Sequence, residues 1–253
     1  MSLARYLARL GYGTRKEVER LLATRRVTSR TGVALGDGKV PPHDDILVDD
    51  APLDPPEGSV ILFHKPVGYV CSTRDRSPTV YELLPARFPH RSPVMATVGR
   101  LDADTSGLLL LTDDGALNHR VTSPRSHLPK TYRATLAEPL TGAEDALFAS
   151  GTLVLKGEET ALQPASLVVQ GPHLADLTIT EGRYHQVRRM FAATGNHVVA
   201  LERIALGPLT LDGLPAGAWR VLSEPEVAAL RNATRNPASN PTRRADDAAP
   251  DAE

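Results

Sequence analysis

The sequence predicts an α+β protein in which a small basic module precedes a larger mixed domain. Three observations predict it. Of the 253 residues, 41% are hydrophobic and 23% charged, enough apolar material for a true core. After residue 59, strand-like and helix-like segments are mixed without a steady β-α-β alternation, which disfavours a doubly wound sheet. The proline-rich stretch Ala51-Pro52-Leu53-Asp54-Pro55-Pro56-Glu57-Gly58 divides the chain by composition. The expected organisation is a module over 1–50, a linker over 51–58, a domain over 59–230 and a disordered tail over 231–253.

Each element has a local reason. Residues 2–11 read as a helix with Leu3, Leu7 and Leu10 on one face, ended by Gly11 and Gly13. Thr14 opens a second helix, and Glu17 stands at capping-box spacing from it. Val18, Leu21 and Leu22 form its apolar stripe. Short strands are expected around Val27 and over 46–48. In the larger domain the clearest strands are 60–63, 108–112, 131–136 and 174–180. Helices are expected over 80–84, 116–121, 143–149 and 185–193. Ser223 with Glu226 repeats the capping-box spacing and starts a final helix.

Net charge is −1, but charge is unevenly spread. Residues 1–30 carry eight Lys and Arg against two Glu; residues 31–60 carry one Lys against seven Asp and Glu. Arg5 and Arg9 are i,i+4 neighbours, as are Lys16 and Arg20, so both helices can present a basic edge. Arg5, Arg9, Arg15 and Lys16 are therefore expected to contact RNA phosphates. No apolar run approaches the ~18 residues of a membrane span, and no secretory signal is visible, so a cytoplasmic protein without membrane association is expected. The single cysteine, Cys71, excludes an intramolecular disulfide framework and a Cys-based zinc cluster. No interface signature stands out, and a monomer is expected.

The loop Gly99-Arg100-Leu101-Asp102-Ala103-Asp104-Thr105-Ser106-Gly107 enters the apolar run 108–111. Polar loops supported by rigid strands are where catalytic groups collect, although Asp102 and Asp104 could serve only turn chemistry. Counting from Asp102 also gives a calcium-loop pattern ending at Asp113. That reading fails on Leu110, which offers no oxygen, and on a second half that reads as strand where a helix is required. In Glu181–Met190, helical periodicity buries Val187, Met190, Phe191 and Thr194. Arg188 falls on the flank of that stripe and needs a carboxylate partner; Arg189 points away, free for solvent or phosphate. In Lys130-Thr131-Tyr132-Arg133, strand alternation sets Tyr132 opposite Thr131 and Arg133, where it could stack on a base. His185 and the other histidines lack metal-ligand spacing, and no phosphate loop, nucleophile elbow or dinucleotide fingerprint is present.

Together these motifs resemble the RsuA group of pseudouridine synthases. Gly99-Arg100-Leu101-Asp102 with Thr105-Ser106-Gly107-Leu108 is similar to the group's catalytic motif, and His64-Lys65-Pro66-Val67-Gly68-Tyr69-Val70-Cys71-Ser72-Thr73 to the motif before it. Lys130-Thr131-Tyr132, Glu181–Met190 and Asn196-His197-Val198-Val199 match later motifs. The first fifty residues are similar to an S4 RNA-binding domain, with Ala4 where Asp is common, which is expected to loosen that helix start. His64 stands where Asn is usual.

The resemblance implies an S4-like α/β module followed by a catalytic domain with a mixed, mainly antiparallel sheet flanked by helices. It implies a cofactor-free and metal-free isomerisation of uridine to pseudouridine in ribosomal RNA. Gly68–Thr73, Thr122-Ser123-Pro124-Arg125 and Tyr184-His185-Gln186 point within the group to the small-subunit (16S) RNA and its uridine 516. By position, Asp102 would be the nucleophile, Arg188 would pair with it and hold it ionised, and Tyr132 would stack on the target uracil. Arg100, Arg189, Lys65 and Lys130 would contact RNA. A large-subunit target and a non-catalytic ribosome-assembly factor are the alternatives.

Overall fold

The computed structural model describes residues 1–235. In the N-terminal module, α1 (Leu3–Arg9) and α2 (Arg15–Ala23) bury Leu3, Ala4, Leu7, Val18 and Leu22 against β1 (Val27–Ser29) and β2 (Ile46–Val48). The capping box forms as expected: Glu17 N–H donates to Thr14 Oγ1, and Thr14 N–H donates to the Glu17 carboxylate at 2.7 Å. The start of α1 is not loosened by Ala4. Asp37 reaches in from the segment between β1 and β2 and accepts the Ala4 amide at 2.9 Å, a bond that holds its carboxyl below the usual range.

The stretch 51–58 is more than a linker. It contributes β3 (Ala51–Pro52), which pairs with β2, and it is then strapped to both sides. Asp54 takes a two-pronged ion pair from Arg87 (2.6 and 3.1 Å), whose guanidinium lies 4.4 Å over the Tyr12 ring. Tyr12 Oη accepts the Asp54 amide, and Arg91 donates to the Pro55 carbonyl. Proline-rich composition signals the absence of regular structure, but side-chain contacts can still fix such a segment.

The larger domain is built on one nine-stranded sheet. Its strands are β4 (Val60–Lys65), β5 (Ala96–Val98), β6 (Thr105–Thr112), β7 (Lys130–Leu136), β8 (Ser166–Gly171), β9 (Leu174–Ile179), β10 (Val198–Leu206), β11 (Leu209–Thr210) and β12 (Trp219–Val221). The order is β12-β4-β6-β10-β7-β9-β8, with β5 on β6 and β11 on β10. Every pairing is antiparallel except β6 with β10. The helices α3 (Gly115–Thr122), α4 (Glu144–Ala149), α5 (Gln186–Ala193) and α6 (Glu224–Arg235) complete the expected mixed architecture. Residues 80–84 form only a 3₁₀ turn, Val80–Leu83. β5, β8, β10, β11 and β12 escape the sequence: β5, β11 and β12 are short, β8 puts Val168 and Val169 in solvent, and β10, though nine residues long, breaks the in–out alternation with two bulges against β7. α6 runs to Arg235, past the expected domain end at 230, with Ala233 still packed against the core that holds Leu230; the rest of the expected tail lies outside the described residues.

One row across this sheet sets up the site. Lys65 on β4 pairs with Gly107 on β6, Gly107 with Arg203 on β10, Arg203 with Tyr132 on β7, and Tyr132 with Leu177 on β9. Directly opposed residues share a face, so Lys65, Arg203 and Tyr132 emerge on the same side. Lys130, two residues from Tyr132, shares that side. Gly107 is obligatory: its φ is +110°, and a Cβ would meet the Arg203 backbone carbon at 2.8 Å and lie closer still to its nitrogen and oxygen. Gly107→Ala is expected to cost at least about 3 kcal/mol by prising β6 from β10. Denaturant unfolding measures it, and a loss below about 0.5 kcal/mol would contradict this close approach.

Candidate active site

The loop between β5 and β6 and the turn before α5 face each other across a cavity of about 530 Å³. Asp102, Arg100, Thr105, Lys130, Tyr132, Arg188 and Arg203 all contribute to its lining. The site therefore gathers residues from β6, β7, β10, α5 and two loops, separated by as much as a hundred positions in the chain.

Asp102 sits just before β6 with its side chain 45% exposed, and its Oδ2 lies 3.5 Å from His185 Nε2. His185 reaches it from a left-handed backbone position (φ 48°) at the start of α5. Arg188 does not pair with Asp102 as expected. Its Nη2 forms an ion pair with the Asp104 carboxylate at 3.0 Å and donates to the Asp104 carbonyl at 3.2 Å, and its Nη1 donates to the Val198 carbonyl. The neighbouring acid on the same turn offers both a carboxylate and a carbonyl to one guanidinium edge, while His185 takes the Asp102 side. The expectation that Arg188 is part-buried and carboxylate-paired holds, with a different carboxylate.

Tyr132 is half-buried between two apolar clusters, its face set by the alternation that sends Thr131 to Thr178 and Arg133 to Asp176 on the other side. Lys130 lines the cavity: Nζ donates to the Leu128 carbonyl, and burial with the nearby Arg203 guanidinium pushes its ammonium down to about 8. Arg100 is exposed at the cavity mouth.

One expected RNA contact, Lys65, is overturned, and a second, Arg189, is engaged within the chain. Lys65 is completely buried, and Nζ donates to the carbonyls of Pro66, Asp102 and Thr105 at 3.1, 3.0 and 2.8 Å. It is a staple under the Asp102 loop, and burial pushes its ammonium down. Arg189 points away from the buried stripe, but the 153–160 loop folds back over it. Its guanidinium is taken by Glu158 at 2.8 Å and by the carbonyls of Lys156 and Tyr184. In the N-terminal module, Arg9 is likewise committed to a two-pronged pair with Glu57, and Arg15 reaches Glu19. Arg5 and Lys16 remain exposed without an ion pair among the described residues.

Sequence reasoning missed Arg203 as a site residue. It is 4% exposed, donates Nε to the Leu108 carbonyl, and holds Nη2 buried without a hydrogen-bond partner. Its signal was available: two residues after the buried Leu201, it occupies the apolar phase of a strand. Among the described residues, no group of three His, Cys, Asp or Glu is arranged to hold a metal. The calcium count from Asp102 ends on Asp113, which is spent on the Gly58 amide and on the buried Arg91 at 3.0 Å.

A family model described as RNA pseudouridylate synthase matches residues 59–193. The chain belongs to that family. Among similar proteins, the Ribosomal small subunit pseudouridine synthase A of Yersinia pestis is 43% identical over 234 residues, covering 91% of this chain and 98% of that protein. The protein of the same name from Escherichia coli strain K12 is 46% identical over 195 residues, covering 76% and 83%. A solved structure described as a pseudouridylate synthase matches at 37% identity with a TM-score of 0.64, covering 91% of this chain and 99% of the other. In this synthase, the buried Lys65 and the Arg188–Asp104 pair hold the Asp102 loop by its backbone and leave the Asp102 carboxylate open to the cavity. No helix among the described residues of the synthase is long and apolar enough to cross a membrane.

Proposed function

We propose that this pseudouridine synthase acts on small-subunit ribosomal RNA, with Asp102 as the nucleophile, Tyr132 stacking on the flipped uracil and Arg100 contacting the RNA at the vacated stack. Uridine 516 is the proposed target, in keeping with the small-subunit specificity named for the similar proteins. The observation that carries the reading is the Asp102 carboxylate, exposed on a backbone-stapled loop at the mouth of a cavity walled by Tyr132 and Arg188. Arg188 serves by holding that loop through Asp104, and its Nε, buried without a partner, leaves one donor unspent.

The chemistry suits such a site. The N1–C1′ bond breaks and a C5–C1′ bond forms, with no net redox change and no water consumed. A carboxylate can bond covalently to the reacting nucleoside, and a cavity of about 530 Å³ can hold a base swung out of its stack. The N-terminal module acts as an S4-like RNA clamp, with Arg5 and Lys16 as its free phosphate contacts.

Mapping pseudouridine by chemical-adduct stops in small-subunit RNA, with and without the synthase, tests this reading. A stop at one uridine that depends on the synthase is expected. A dependent stop only in large-subunit RNA would reassign the substrate.

A further inference from the structure

The cavity has a charged floor that the proposed roles of Asp102 and Tyr132 do not use. Arg203 stands directly opposite Tyr132 across the β10–β7 ladder, and Lys130 stands two residues along β7 on the same face. Both are largely removed from water, and neither makes an ion pair among the described residues. Isolated cations in such surroundings are costly, so their retention calls for a partner that arrives later.

Donor accounting shows what remains available. Lys130 Nζ gives one of its three hydrogens to Leu128 O at 3.0 Å. Arg203 gives Nε to Leu108 O at 2.7 Å, and Nη2 has no partner. Glu181, from the loop after β9, is the one acid among the described residues whose charge reaches Lys130 appreciably. It is already engaged by Arg183 Nε, Gln186 Nε2 and the Gln163 amide. Thr105 Oγ1 is also buried without a partner on the same lining. The cavity is thus provided with donors and positive charge, and its missing occupant is an electron-rich, hydrogen-bond-accepting group.

The reaction creates such a group. When N1 parts from C1′, the bond's electron pair stays with the base, and the detached uracil is an anion with charge spread over N1, O2 and O4. The ring then returns a pair through C5 to C1′; C5 loses a proton and N1 gains one, so atoms and charge balance. We propose that Lys130 and Arg203 form a cationic floor that takes up the negative charge of the detached uracil and holds the ring while it turns from N1 to C5. This rests on the assignment of Asp102 and Tyr132 to the same cavity. Preorganised donors aimed at charge that develops during reaction act on rate more than on ground-state binding.

Full-length Lys130→Met, Lys130→Arg and Arg203→Met proteins are compared with wild type on the small-subunit RNA transcript. Single-turnover rate at saturating protein and RNA affinity by filter binding are both read. Lys130→Met is expected to lose roughly 10²-fold in rate while its RNA affinity stays within about twofold. Lys130 is an ammonium below about 8, and Arg203 and Glu181 are the charged groups facing it. The wild-type rate should therefore fall as pH rises through about 8, and Lys130→Arg should keep its rate there. Arg203→Met is expected to lose rate similarly if circular dichroism shows it folded; Lys130 decides the matter if it is not. A wild-type rate for Lys130→Met, or a loss confined to RNA affinity, would overturn the floor and make these residues phosphate contacts. Asp102→Asn run alongside separates the two readings: if that variant is active the site itself is misplaced, whereas an inactive Asp102→Asn beside an unaffected Lys130→Met removes the floor alone.

Discussion

Asp102→Asn is expected to leave the chain folded and to lower pseudouridine formation by at least roughly 10⁴-fold, the scale on which enzymes lose rate when a covalent nucleophile is removed. The structural cost is small because the side chain is 45% exposed and, among the described residues, its contact with a basic side chain is a loose one, His185 Nε2 at 3.5 Å. Stability should therefore change by less than about 0.5 kcal/mol. The loop is held by its carbonyls, which Lys65 binds, and by the carboxylate of Asp104, so an amide at position 102 leaves the geometry in place. Asparagine keeps the shape and loses the nucleophilic charge. A folded Asp102→Asn protein that still makes pseudouridine at an appreciable rate would reassign the nucleophile.

Lys65→Met is expected to damage both stability and rate, for a reason unlike that of a phosphate contact. Methionine fills the volume but leaves the carbonyls of Pro66, Asp102 and Thr105 without their shared donor. Hydrogen bonds from a charged donor contribute roughly 1.5–3 kcal/mol each, and relief from burying the ammonium offsets part of the loss. A net cost of about 2–4 kcal/mol is expected, together with a fall of roughly 10²-fold in rate as the Asp102 loop loosens. RNA affinity of the folded fraction should hardly move. Denaturant unfolding, single-turnover kinetics and filter binding separate these effects. A variant with native stability and reduced RNA affinity would restore Lys65 as an RNA contact.

How far the site was legible follows from what periodicity can carry. Strand alternation placed Tyr132 on its correct face because β7 is regular there, and helical spacing placed Val187, Met190 and Phe191 inside α5. The same spacing put Arg188 on the flank of the stripe, where it is found half-buried. It could not choose between Asp102 and Asp104 as its partner, since both lie on one turn and only the docking of α5 decides. Arg189 shows the complementary failure. Its direction was right, but a loop thirty residues upstream closes over it, and no local pattern announces that closure. Lys65 is assigned to RNA by resemblance alone; it ends β4, and the loop it staples belongs to a different part of the chain.

The sequence by itself determined the local elements: capped helices at Thr14 and Ser223, apolar strands in mixed order, and a polar loop carrying Asp102 into a buried strand. These follow from hydrogen bonds and side-chain periods spanning a few residues. Only the tertiary structure decided which charges meet. The parallel pairing of β6 with β10 sets Gly107 against Arg203, and the ladder to β7 sets Arg203 against Tyr132 and brings Lys130 to the same cavity. Ion pairing depends on distances across the sheet and on what each charge loses in leaving water, and neither is written in the spacing along one segment.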